Sequence, residues 1–352
     1  MCDDAAGHGP HAVAEVPDDL DAFTGERVRL EPVARVSITT VVDNACDMLA
    51  VDVGPAHRRP PTAWPQTAVR TLEEGRVGDG PRAEHGFSAH VEVELADGRV
   101  HRLLFDTGVS PDGMVDNMDR LDLDPSDVAA VVCSHGHFDH TTGLDGLARR
   151  LGRAGLPVLV HPLFWSRRRV AIPGRDPLEL PTTSRRALEE VGFDVIEQRR
   201  PSFLFERSVL VTGEVPRTTD FERGFPVHQA MHGGAWEPDP LILDDQALVV
   251  HVRGRGLVVL TGCGHSGIVN IVRYARQLTG VTDVYAVLGG FHLSGPLFEP
   301  VIVPTVEALE ALAPEVVVPA HCTGWRAAHV LVSRLPDACI QNTVGTRFDL
   351  VA

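Results

Sequence analysis

The feature that most restricts how this chain can fold is the run Ser134-His135-Gly136-His137-Phe138-Asp139-His140, which follows the apolar stretch 128–133 without a break. Three imidazoles and one carboxylate between His135 and His140 cannot all be packed as core, because each polar group would need its own buried partner. The preceding residues read as a buried strand. The histidines therefore sit at a strand end, on a turn opened by Gly136. Alternation lets His135 and His137 face one point while Asp139 and His140 face another. The pattern predicts two adjacent metal sites completed by ligands from elsewhere in the chain. Imidazole and carboxylate donors suit zinc, manganese, iron or cobalt.

The missing ligands are expected at the ends of other apolar strands. His265 follows the strand in 258–267, His292 follows that in 287–295, and His321 follows that in 316–324. Each lies in a glycine-flanked turn, the position at which α/β folds place ligands.

The rest of the pattern is that of alternating strands and helices. Residues 33–44 read as a strand, 90–108 as a hairpin turning at Asp97-Gly98, and 247–262 as a second hairpin. Helices are expected over 114–121, 144–151, 266–280, 303–312 (with Pro304 in the first turn) and 325–334. Residues 1–30 read as a poorly ordered acidic tail, and 31–352 as one domain. Residues 163–245 read as irregular, with short strands near 194–198 and 208–212. The segments 54–82 and 217–240 are candidate lids.

Composition narrows the function. Of 352 residues, 32 are basic and 48 acidic, a net charge of −16, which excludes a generic nucleic-acid or anionic-membrane surface. Every basic residue is arginine. This rules out Schiff-base chemistry and a lysine-dependent phosphate loop. The six cysteines form no C-x-x-C pair, so a disulfide framework is not expected. The N-terminal residues lack the apolar core of a signal peptide, and the longest apolar runs are far too short to span a membrane. A cytoplasmic protein acting on a small molecule is expected.

The motifs EHGFS (84–88), FDTG (105–108), SHGHFDHTTGL (134–144), GEVPR (213–217), DDQAL (244–248), TGCGHSGIVN (261–270), GGFHL (289–293) and PAHCTGW (319–325) occur in this order. The chain resembles the metallo-β-lactamase superfamily, and within it the branch of dihydropterin-ribofuranosylaminobenzene phosphate synthases. The resemblance implies an α/β fold, an αββα four-layer sandwich, with two divalent metal ions, zinc foremost, between the sheet edges. It suggests His135, His137 and His265 as ligands of one site, and Asp139, His140 and His321 as ligands of the other. Many members carry a metal-bridging aspartate after a strand; here Cys263 stands at the comparable place. It is read as a thiolate ligand, a supporting group or a small buried residue, the last two preferred. His292 is read as a proton donor or substrate contact in preference to a ligand. Asp106 is expected to orient a ligand, and Arg217 is read as an anion contact or, equally, as a surface or structural arginine. Glu84, His85, Glu214 and Asp245 are further candidates for supporting or substrate contacts.

The resulting expectation is a dinuclear hydrolase of a small ester, lactone or phosphoester. Metal-bound hydroxide would attack, Asp139 would orient it, and His292 would protonate the leaving group. The alternatives are a synthase joining a pterin-like or aminobenzoate unit to a ribosyl phosphate, and a non-hydrolytic metal or redox module.

Overall fold

Two β-sheets packed face to face position everything else. The structure, a computed structural model, describes residues 27–152 and 154–352. The first sheet has eight strands. Its centre is antiparallel: Arg35–Val42 pairs with Ser88–Glu94 on one side and Thr346–Val351 on the other. From Val100–Phe105 outward it becomes parallel, through Ala130–Val132, Leu156–Val160 and Phe193–Glu197. The second sheet has six strands: Ala247–Val252 pairs antiparallel with Gly256–Thr261, and from there Val284–Gly290 and Val316–Ala320 continue parallel.

Period-two alternation divides each strand between two cores. In Gly256–Thr261, Val258 and Leu260 face the other sheet, whereas Leu257 and Val259 face helices. The central core joins Ile38, Val91, Phe105 and Val132 of the first sheet to Leu248, Leu260, Leu288 and Val318 of the second. Outside the first sheet, helices Gly113–Arg120 and Leu144–Leu151 bury Met114, Met118, Leu144 and Leu147. Outside the second, helices Ile268–Thr279, Glu299–Leu312 and Trp325–Arg334 bury Ile271, Val306 and Leu331. The result is the αββα sandwich. Strands buried on both faces read as continuous apolar runs, which is why their sequences are so legible.

Three expectations need correction. The tail boundary at residue 30 is too late: Val28 and Leu30 are buried, and the Val28 N–H donates to the Leu278 carbonyl. Residues 1–26 lie outside the described residues. Pro304 is not in the first turn, because that helix begins at Glu299 and Pro300 takes the early position. Residues 163–245 are not merely irregular. They contain a four-stranded sheet of Leu178–Leu180, Arg168–Val170, His228–His232 and Ala235–Pro238. Among the described residues no helix is long and apolar enough to cross a membrane.

One buried histidine in the first sheet sets a pH dependence. His90 alternates with Val91 and is 2% exposed; burial pushes its pKa down to about 4. In the unfolded chain it titrates at about 6.5. Below that pH the unfolded chain takes up a proton that the folded chain resists. The stability from His90 is therefore present above about pH 6.5 and lost as pH falls towards 4, at most about 3 kcal/mol. In chelator-treated protein, urea midpoints between pH 7 and 4 are expected to fall less steeply for His90→Asn than for wild type.

Candidate metal centre

The site lies where strands of both sheets end. From the first sheet, Val100–Phe105 runs into Asp106 and Ala130–Val132 into Ser134. From the second, Gly256–Thr261 delivers Cys263 and His265, and Val316–Ala320 delivers His321. The turn after Ala130–Val132 needs glycine at 136, since a Cβ there would run into the Phe164 carbonyl. Asp106, His292 and His321 adopt positive φ angles of 60°, 44° and 47°. Such left-handed conformations are costly for these residues and cluster at functional sites.

The ring orientations follow from a hydrogen-bond chain that begins at Asp106. This carboxylate is fully buried, and its Oδ1 accepts the Ser134 N–H at 2.6 Å. Its Oδ2 accepts the Ser134 hydroxyl and the His140 Nδ1–H, each at 2.7 Å. The Ser134 oxygen is left to accept from His135 Nδ1 at 2.9 Å. His135 and His140 thus both turn Nε2 into the site. His140 Nε2 lies 3.2 Å from the Cys263 sulfur, and His135 Nε2 lies 2.9 Å from His137 Nδ1.

His137 is oriented by a residue that the sequence reading did not single out. Its Nε2 lies 3.0 Å from Nε2 of His228, which is fully buried on the small sheet. His228 Nδ1–H donates to the Asp239 carbonyl at 2.9 Å. His228 Nε2 must then accept, so His137 carries its proton on Nε2 and turns Nδ1 towards His135 and His265. His265 Nε2 is 3.3 Å from that Nδ1.

His321 is held in the same manner. Its N–H donates to Asp43 Oδ1 at 2.7 Å, and its Nδ1 lies 3.2 Å from Asn44 Oδ1. The remaining Nε2 is 3.4 Å from Asp139 Oδ2. Asp43 and Asn44 were missed although they carry the signal used for the other ligands, a polar pair ending an apolar strand. His228 offers no such signal.

Three overlapping donor sets result. Ligand atoms of Asp139, His140, Cys263 and His321 all lie within 4.8 Å of one another, as do those of His135, Cys263 and His265 and those of Cys263, His292 and Cys322. Cys263 belongs to all three sets, which favours the ligand role that the sequence reading ranked lower, and His292 stands within one of them. Burial, together with neighbouring imidazoles, holds His135, His137 and His265 well below the usual histidine range, so they are neutral donors. Burial alone would also lower His140, but Asp106 and Asp139 push it up to about 9, so a cation bound at its Nε2 would displace a proton. Burial would raise Asp139, but His140, His321 and His85 hold it ionised. His265 Nδ1 and His321 Nε2 are buried without hydrogen-bond partners. Converging lone pairs, one carboxylate and one thiol, with unpaired buried nitrogens, fit divalent cations.

The other expected residues surround this core in different ways. His85 stands at its mouth, with Nε2 at 3.4 Å from Asp139 Oδ2 and a ring 5.0 Å from that of His321. His292 packs against His265, ring centroids 4.1 Å apart. Asp245 accepts the Ser266 N–H at 2.8 Å, steadying the turn after Cys263. Its neighbour Asp244 does the same for Gly136 at 2.8 Å while paired with buried Arg168. Glu84 accepts from Ser110, and Glu214 pairs with Arg199 and His161; neither contacts the clustered histidines. Arg217 donates to the carbonyls of Val215 and Leu241, so two arms of its fork are spent on backbone rather than open to an anion.

This fold and this strand-end cluster define a class, and the chain belongs to the metallo-β-lactamase superfamily, whose family description matches residues 95–277. Within it, the chain is 30% identical over 279 residues to the 7,8-dihydropterin-6-methyl-4-(β-D-ribofuranosyl)-aminobenzene-5′-phosphate synthase of Methanocaldococcus jannaschii, covering 76% of this chain and 92% of the relative. An uncharacterized protein of the same organism is 28% identical over 249 residues, 70% of this chain and 86% of that one. Among solved structures, Tm1679, described as a metal-dependent hydrolase of the β-lactamase superfamily, superposes with a TM-score of 0.65. It is 24% identical and covers 90% of this chain and 100% of its own.

Two substitutions test the orienting chains. Asp106→Asn removes an acceptor shared by Ser134 and His140. His228→Phe removes the acceptor for His137 together with the N–H given to the Asp239 carbonyl. Each is expected to weaken divalent-metal affinity roughly 10- to 100-fold, measured by competition with a chelating dye. His228→Gln, whose amide oxygen still accepts, is expected to recover part of the loss.

Proposed function

We propose that the chain is a metal-dependent synthase that joins dihydropterin, aminobenzene and ribosyl phosphate units, with departure of a phosphorylated leaving group. The observation that carries this reading is the 30% identity to the named synthase over most of both chains. His135, His137 and His265 are assigned to one cation and Asp139, His140 and His321 to a second, with Cys263 between them. Zinc is the first choice, with manganese, iron and cobalt as alternatives. When bound, such ions polarise phosphoryl oxygens and stabilise the negative charge that develops on a leaving group.

The chain's own residues supply the rest. Asp106 and His228 hold ligand imidazoles with lone pairs inward. Asp139 remains ionised between His85 and His321. In this reading His292, which packs against His265 at a positive φ, exchanges a proton with the reacting amine or leaving oxygen. The substrate class is a small molecule; a charge of −16 argues against a nucleic-acid partner. Cytoplasmic residence is part of the same reading.

A hydrolytic reading rests on the same donor set. A pair of cations held this way would equally generate hydroxide for attack on a small ester, lactone or phosphoester.

One incubation separates the two. Purified chain, loaded with zinc or manganese, receives a ribofuranosyl aminobenzene phosphate and a dihydropterin activated at its 6-methyl carbon. A coupled product detected by mass spectrometry, and lost in His140→Ala, is the expected result. Hydrolysed halves with no coupled product would replace the synthase by the hydrolase.

A further inference from the structure

A cavity of about 290 Å³ opens beside the metal centre, on the side of His265. Phe221, His292, Leu293, Phe298 and Val301 line it together with His265. Its wall is aromatic: the rings of His292 and Phe298 meet edge to face at 4.6 Å, and Phe225 touches both, at 5.3 and 5.4 Å. Planar rings pack favourably against such walls.

The polar inventory of the lining is short. Glu222 reaches the cavity, but its carboxylate is spent. Oε1 accepts the Val269 N–H and Oε2 the Asn270 N–H, each at 2.9 Å, and Thr219 bonds Oε2 at 3.2 Å. His292 Nδ1 and His265 Nδ1 are buried without a hydrogen-bond partner. Arg223 lies exposed at the rim, its Nε donating to the Asp220 carbonyl. A pterin carries several ring donors and acceptors, and burying them unpaired would cost more than the ring contacts return. A benzene ring with one amine asks for a single polar partner and apolar walls elsewhere. The volume lies near the lower end of ligand pockets, enough for one small ring system.

We propose that this cavity is the subsite for the aminobenzene ring, and that the pterin half binds elsewhere on the metal centre. The assignment rests on the synthase reading for its choice of ligand, but not for its test. The ring amine would face His292, and an anionic substituent at the far side would face Arg223.

The probe is 4-methylaniline, which has the ring and amine but no carboxylate to capture a metal ion. Binding to the full-length chain as purified is followed by ligand-observed NMR titration, with neutral pterin as competitor. Saturable binding is expected, weakened roughly tenfold by Phe298→Ala and abolished by Val301→Phe, which fills the cavity while metal content stays at the wild-type value. Pterin is expected not to displace the probe. Absence of saturable binding, equal affinity in both variants, or displacement by pterin would overturn the assignment. If the probe binds as expected and no coupled product forms, the subsite stands and the synthase reading falls. If product forms and Val301→Phe leaves its KM for the aminobenzene substrate unchanged, the subsite falls alone.

Discussion

The two oxygens of Asp106 accept from a backbone N–H, a hydroxyl and an imidazole, all shielded from water. An ionised carboxylate in such a place is costly unless fully hydrogen-bonded. Full occupancy makes it stable and rigid at once. Through Ser134 it sets the ring of His135, and directly it sets the ring of His140. One buried charge thus orients a donor in two of the three overlapping sets. The strand beneath it, ending at Phe105, belongs to the central core, so the carboxylate cannot move without disturbing the packing of both sheets.

The same logic repeats at lower cost around the rest of the centre. Asp43 and Asn44 hold His321, Asp244 holds the turn at Gly136, and Asp245 holds the turn before Ser266. Each is an acidic or amide side chain at or beside a strand end, reaching across to a neighbouring loop. The two sheets are held together by apolar packing, and their ends by these polar crossties. Neutral imidazoles pointing lone pairs at one another are mutually unfavourable without a cation, so the crossties hold the site open against that repulsion.

Much of this was legible in the chain. Strands such as Gly256–Thr261 and Val284–Gly290 are buried on both faces, so their apolar runs are continuous and their ends abrupt. A histidine immediately beyond such an end stands out, as His135, His265 and His321 do. The small sheet was not legible because its strands are only three to five residues long and carry no long apolar run: Arg168–Val170 has two arginines, which bond to Asp244 and Gln229. His228 sits in that sheet among polar neighbours and carries no periodic signal. Arg217 and Glu214 drew attention as charged residues in a motif, yet their partners are backbone carbonyls, Arg199 and His161. Residue type alone does not reveal which partner a flexible side chain finds.

His228 and Phe225 lie three residues apart on one segment of chain. The first dictates which nitrogen of His137 faces the centre, and the second supports the aromatic wall beside it. An ion and a ring bound at these two places would therefore both lean on the same segment. Were its seating to favour both, thermodynamic reciprocity would apply: the ring would raise the affinity for the ion by the factor by which the ion raises the affinity for the ring. On the proposed reading, ion retention and ring selection would then be one equilibrium, set by a short segment outside the two main sheets.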